Sequence, residues 1–234
     1  MSVPFRIAVF ASGNGSNLAA LLERFPPGAS PEVALVLSDR ESAHALERAR
    51  AAGVPALVIQ PGRFASEEEF GNELVRLLRD LAVDLVVLAG YLRKIPRNLL
   101  DAFPGRVVNV HPALLPRFGG PGMYGARVHA AVLSAGERES GATVHFVDAE
   151  FDTGPVIAQA RVPVQPADTS ETLAARVLEA EHELLPRVVD LLARGKVRWD
   201  QGRGVVHDDP DHGAPVCRTS MRRGRQDESD VRGS

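Results

Sequence analysis

Cysteine is nearly missing from this chain: Cys217 stands alone among 234 residues, so no intramolecular disulfide and no thiolate metal cluster can form. A reducing compartment, the cytoplasm, is the expectation. An excess of positive charge is missing too, because 27 Lys and Arg face 30 Asp and Glu for a net charge of -3. A nucleic-acid footprint normally needs such an excess, so none is expected beyond a local phosphate site. Long apolar runs are also lacking. The longest, Leu81 to Tyr91, is broken by Asp84 and falls far short of the ~20 residues that cross a bilayer. Arg6 is followed by a short β-like run rather than a signal-peptide core, so the mature chain is expected to start near Met1. No internal repeat is visible.

The rest is ordinary globular composition, 44% hydrophobic and 24% charged, and the length fits one core of moderate size. Short β-branched runs alternate with segments of helical period, the pattern of an α/β fold: a mainly parallel twisted sheet with helices on both faces. Arg6–Ala11, Val33–Leu37, Ala56–Ile59, Leu85–Ala89 and Val107–Val110 read as buried strands. Ser66 to Glu69 has the form of a capping box, and Phe70, Leu74, Leu77, Leu78 and Leu81 follow at helical spacing, in a helix ending before Asp84. Ala142–Val147 and Val156–Val164 lie too close together for another crossover and read as antiparallel strands added in the C-terminal half. A last helix starts near Asp168 as cap with Glu171 reciprocating, carries Leu173, Val177, Ala180, Leu184, Val188 and Leu191, and should kink at Pro186. Residues 1–199 are expected to form one domain, with halves at about 1–105 and 106–199, and 200–234 a disordered tail. Within that tail, the His207 to His212 run has the residue types to chelate a stray cation, with a solvated tail the favoured reading.

Three segments can carry chemistry. Ser12-Gly13-Asn14-Gly15-Ser16-Asn17 joins a strand to a helix, where free backbone N–H groups and the helix dipole suit a phosphate. A plain tight turn with Ser16 as N-cap is the bland alternative. A dinucleotide site, with Asp39 as its ribose-binding acid, fails at Leu18, where a small residue is required. Asn109-Val110-His111-Pro112 ends the fifth strand, and residues two apart share a face, so Asn109 and His111 can aim two donors at one oxyanion. A satisfied core histidine is the alternative there. Asp148 to Pro155 is an acidic turn whose carboxylate can hold the His111 tautomer and raise its pKa, or simply cap the turn. His145, on the preceding strand, is either core or a supporting partner behind the site.

Taken together, SGNGSN, NVHPALLP, Asp152-Thr153-Gly154-Pro155 and Glu179-Ala180-Glu181-His182 resemble the phosphoribosylglycinamide formyltransferase family, from about Arg6 to about Arg198. NVHPALLP is shared with other enzymes that use 10-formyltetrahydrofolate. The resemblance implies a Rossmann-like fold and transfer of the formyl group of 10-formyltetrahydrofolate, the cosubstrate, to the amine of glycinamide ribonucleotide in purine biosynthesis. It implies Asn109, His111 and Asp152 as the catalytic trio. Gly13, Asn14, Gly15, Ser16 and Asn17 would hold the ribonucleotide, with Glu181 receiving its amine. Leu88, Tyr91, Leu92, Arg93 and Ile95, with Asn109, would line the folate pocket. No metal, nucleic acid or membrane partner is implied, and a homodimer is compatible with it.

Where some members carry an arginine near the folate tail, this chain has Glu67-Glu68-Glu69. The glycine-rich loop Arg117 to Gly125 has the form of one bacterial and plant branch and is expected to move over the substrates. The rival functions are formyltetrahydrofolate hydrolase, methionyl-tRNA formyltransferase and, from another class, a nicotinamide-dependent oxidoreductase.

Overall fold

The computed structural model describes residues 4–200, 204–207 and 216–218. The chain runs β1 (Arg6–Phe10), α1 (Ser16–Arg24), β2 (Glu32–Ser38), α2 (His44–Ala51), β3 (Ala56–Val58), α3 (Glu67–Asp80), β4 (Leu85–Leu88), α4 (Arg97–Ala102) and β5 (Val107–His111). It continues with α5 (Ala126–Ser134), β6 (Glu139–Phe146), β7 (Val156–Pro163), α6 (Ser170–Ala193), β8 (Val197–Asp200), β9 (Gly204–His207) and β10 (Val216–Arg218). Eight strands form one sheet in the order β10-β7-β6-β5-β4-β1-β2-β3. The first five pair in parallel, whereas β6 runs antiparallel to both β5 and β7.

Alternation along the strands divides the core into two layers. Ile7 and Val9 of β1 join Leu18 and Leu21 of α1 and Leu173, Val177 and Leu184 of α6 on one face. Ala8 and Phe10 join Phe70, Leu74 and Leu78 of α3 and Leu99 of α4 on the other. Both faces are therefore covered, which lets the parallel strands be almost continuously apolar.

The helix signals hold with local changes. The Ser66 hydroxyl accepts from Glu69 N at 3.1 Å, but the Glu69 carboxylate reaches past Ser66 to Ala65 N at 2.8 Å. At α6 the cap is Thr169 rather than Asp168, and Thr172 rather than Glu171 reciprocates. Asp168 is taken instead by Arg176, at 2.7 Å. The helix runs on through buried Pro186 to Ala193.

The expectation of a disordered tail over 200–234 is corrected for two segments. Strand β9 pairs antiparallel with β8, and Val205 packs on the main core beside Trp199. Strand β10 pairs in parallel with β7 at the sheet edge. The sequence reading missed them because each is only three or four residues long in a Gly-, Asp- and Arg-rich text. The other residues of that tail, including 208–212, lie outside the described residues.

Candidate active site

The strand order turns back between β1 and β4, and open α/β sheets bind ligands beyond the carboxyl ends of the strands at such a switch point. Here the segments after β1, β4 and β5 converge on a cleft of about 620 Å³, closed by the loop before α5, the turn after β6 and one side of α6.

Gly15, not Ser16, caps α1; it adopts φ 74°, and no side chain caps the helix. The N–H groups of the first turn thus remain free for an anion. The glycine itself serves packing, because a Cβ on Gly15 would lie 2.7 Å from Ala45 Cα of α2. A Cβ on Gly13 would meet nothing within 4 Å. The Asn14 side chain is turned away to Arg48, which contacts its Oδ1 at 3.2 Å and its backbone oxygen at 2.9 Å.

Asn17 likewise does not offer its amide nitrogen to a phosphate. It makes a short hydrogen bond to the Glu181 carboxylate, while its Oδ1 is buried with no partner. Burial pushes the Glu181 carboxyl up to about 7, with the Asn17 bond only partly offsetting it. An unpaired acceptor beside a buried carboxyl suits a ligand with several hydrogens to donate, such as an amine.

The segment from Leu88 to Ile95 forms the opposite wall, tied down where Leu92 N donates to Ser12 Oγ at 3.0 Å. Tyr91 leans edge-on against Phe10 at 5.5 Å, and Ile95 joins the α3 side of the core. Arg93 is bound to buried Asp39 at 2.9 Å, so Asp39 is an ion-pair partner and not a ribose-binding acid. Leu18, fully buried in the core, occupies the place where a dinucleotide site requires a small residue. Glu67, Glu68 and Glu69 form the first turn of α3, where the helix dipole favours acids.

Asn109, His111 and Asp152 do come together. Asp152 Oδ2 lies 3.5 Å from His111 Nδ1, and Asp152 Oδ1 lies 3.3 Å from Asn109 Nδ2. The turn that delivers Asp152 holds it at φ 58° and clamps it with a hydrogen bond from Gly120 N at 2.9 Å. Burial works to raise the Asp152 carboxyl, but its polar surroundings, with the Gly120 N–H donating to it, outweigh that and leave it below its usual range. His145 stands opposite Asn109 in the β5–β6 register, with its Nε2 3.1 Å from Asn109 Nδ2.

The expected rise in the His111 pKa is overturned. Burial lowers it, and the pull of Asp152 and of the Phe118 carbonyl, 2.8 Å from His111 Nε2, does not restore it. The carboxylate stands at contact distance, not hydrogen-bonding distance, so it compensates only part of the lost hydration.

The sequence reading missed His129. It is 4% exposed on the packed face of α5, lines the same cleft, and has a buried Nδ1 without a partner. Its pKa is lowered, chiefly by burial and further by its neighbour His111. The available signal was a histidine between Val128 and Val132 on an otherwise apolar helix face.

A doubly wound sheet with a free helix N-terminus and a carboxylate–imidazole–amide cluster on one cleft defines a group-transfer enzyme rather than a binding module. Residues 5–189 match the family model described as formyl transferase, and the chain belongs to that family. It is 45% identical over 196 residues to the chloroplastic phosphoribosylglycinamide formyltransferase of Arabidopsis thaliana, covering 83% of this chain and 67% of that protein. Identity to the Haemophilus influenzae phosphoribosylglycinamide formyltransferase is 36%, covering 82% of this chain and 89% of that one. The chain spans 62% of the Vigna unguiculata chloroplastic relative and 14% of the trifunctional purine biosynthetic protein of Drosophila melanogaster. Among solved structures, glycinamide ribonucleotide transformylase 1 from Symbiobacterium toebii superposes with a TM-score of 0.79 at 42% identity, covering 87% of this chain and 94% of that one. No helix among the described residues is long and apolar enough to cross a membrane.

Proposed function

We propose that the protein transfers the formyl group of 10-formyltetrahydrofolate to the amine of glycinamide ribonucleotide, releasing tetrahydrofolate. The observation that carries this reading is the Asn17–Glu181 pair. A hydrolase needs only water, whereas this cleft sets aside a buried carboxyl near pH 7 and an unpaired amide oxygen for a hydrogen-bond donor. The ribonucleotide phosphate sits on the first turn of α1, and its amine reaches Glu181. A carboxyl with that proton affinity can accept the ammonium proton and leave the amine neutral, as nucleophilic attack requires. The pterin end of the folate lies along Leu88 to Ile95.

The folate supplies an activated formyl carbon. Asn109 and His111 face it, and their N–H groups stabilise the negative charge that develops on the formyl oxygen. Because burial keeps His111 neutral at rest, it acts through its Nε2–H, released from the Phe118 carbonyl as the loop from Arg117 to Gly125 adjusts. A proton gained at Nδ1 is held by Asp152. The match over residues 5–189 supports one domain over 1–199. The lone cysteine supports a cytoplasmic or similarly reducing location.

The test is tetrahydrofolate release with and without glycinamide ribonucleotide. Release that depends on the acceptor is expected; equal release in its absence would make the protein a hydrolase. His111→Ala should lower kcat by about 10²–10³-fold while the KM values change little.

A further inference from the structure

His145 is 2% exposed at the wall of the cleft, and both its ring nitrogens face protein groups. Its Nδ1 lies 2.8 Å from the Phe146 carbonyl, which can only accept, so the hydrogen of the neutral ring is on Nδ1. Nε2 is then a lone pair, and its neighbour at 3.1 Å is Asn109 Nδ2. A flipped Asn109 would set its carbonyl oxygen against that lone pair and against Asp152, so the tautomer fixes the amide.

The backbone around His145 is built for this. The β6–β7 register shifts between Val144 and His145, a bulge of the kind that re-aims a side chain beside an active site. The Phe146 carbonyl is itself pinned from the Asp152 turn, since a Cβ on Gly154 would fall 1.8 Å from its oxygen. The turn that delivers Asp152 and the carbonyl that sets the His145 tautomer are therefore one packed unit.

The hydrogens of Asn109 can be apportioned. Nδ2 is 3.1 Å from His145 Nε2 and 3.3 Å from Asp152 Oδ1, and these acceptors are 3.5 Å apart, so by the law of cosines they subtend about 66°. A planar amide group spreads its two hydrogens nearly twice as widely. One hydrogen placed between the two acceptors serves both as a three-centre bond, and the second is left for the cleft.

We propose that His145 is a positioning residue, locked as the Nδ1–H tautomer, that holds Asn109 by one amide hydrogen and so presents the other to the formyl oxygen. The role rests on the formyl-transfer reading; the tautomer does not.

Two measurements test it. Long-range nitrogen–proton NMR of the ligand-free protein should show His145 Nδ1 protonated and Nε2 bare; a hydrogen on Nε2 overturns the proposal even if formyl transfer is established. In the acceptor-dependent assay, His145→Leu should lose about 10²-fold in kcat with KM within about twofold, as expected for a misaimed group. His145→Gln, whose Oε1 can replace the Nε2 acceptor, should recover at least about tenfold of that loss. Wild-type kcat in the leucine variant overturns the role. If that variant does not fold, the NMR result on the wild-type chain decides, and a wild-type chain without acceptor-dependent turnover removes the parent reading alone.

Discussion

The raised Glu181 carboxyl makes the stability of the fold depend on pH. With its carboxyl raised from 4.5 to about 7, the folded chain binds that proton more tightly than the unfolded chain. The stabilisation is complete below about pH 4.5 and is lost as pH rises through about 7. Glu181→Gln removes that loss, so it should be more stable than wild type at pH 8, by at most about 3 kcal/mol, and little different at pH 4. Thermal melts at the two pH values check this. The same variant should bind the ribonucleotide more weakly, because a neutral amide cannot take the amine's proton. A Glu181→Gln chain that melts with wild type at pH 8 would contradict the raised pKa.

The two glycines of the first turn separate binding from folding. Gly15→Ala forces a Cβ into α2 at a left-handed position and should cost about 1–3 kcal/mol. At Gly13 a methyl group meets only the open cleft, so Gly13→Ala should melt with wild type yet raise the ribonucleotide Kd. Calorimetry with ribonucleotide and with folate, each alone, tells the two apart. Weakening of both ligands by Gly13→Ala would show that the turn itself had been disturbed.

Among the elements, the β8–β9 hairpin has the clearest mechanical role. Trp199 lies against Phe146 at 6.0 Å and within 2.7 Å of where a Gly105 Cβ would stand, and Val205 extends this cover over the core. A chain ended at Asp200 loses the partner strand and the Val205 contact, worth roughly 1–2 kcal/mol of burial. For a chain of this size that lowers the thermal midpoint by about 2–8 °C. An unchanged midpoint would return the segment to the status of a tail.

The five parallel strands were legible because each is short, β-branched and flanked by turn residues, and the β6–β7 pair because it leaves no room for a crossover. Asn109 and His111 could be read as one face of a strand from their spacing alone. Other features depended on long-range packing. Whether Asp168 or Thr169 caps α6 was decided by Arg176 claiming the aspartate. Asp39 lost its ribose role to Arg93, which lies 54 positions away. The His111 pKa turned on burial against a carboxylate at 3.5 Å, a balance that spacing does not encode.

For the whole molecule, the cleft draws on three crossover strands, an antiparallel neighbour and the last long helix, so ligands should stabilise the fold as a unit. Saturation of both subsites at about 100 times Kd should add about 2.7 kcal/mol for each ligand. The increments should be additive if the subsites are independent and larger together if the loop from Arg117 to Gly125 closes on both.

The hydrogen bond between Asn17 and Glu181 joins positions 164 apart, the first helix to the last. During synthesis at about 5–20 residues per second, the β1–α1 turn has existed for roughly 8–30 seconds before its partner emerges. Throughout that interval Asn17 stands without its carboxylate. The Asn17–Glu181 pair is therefore completed only with α6, after all seven strands that precede it in sequence have been made.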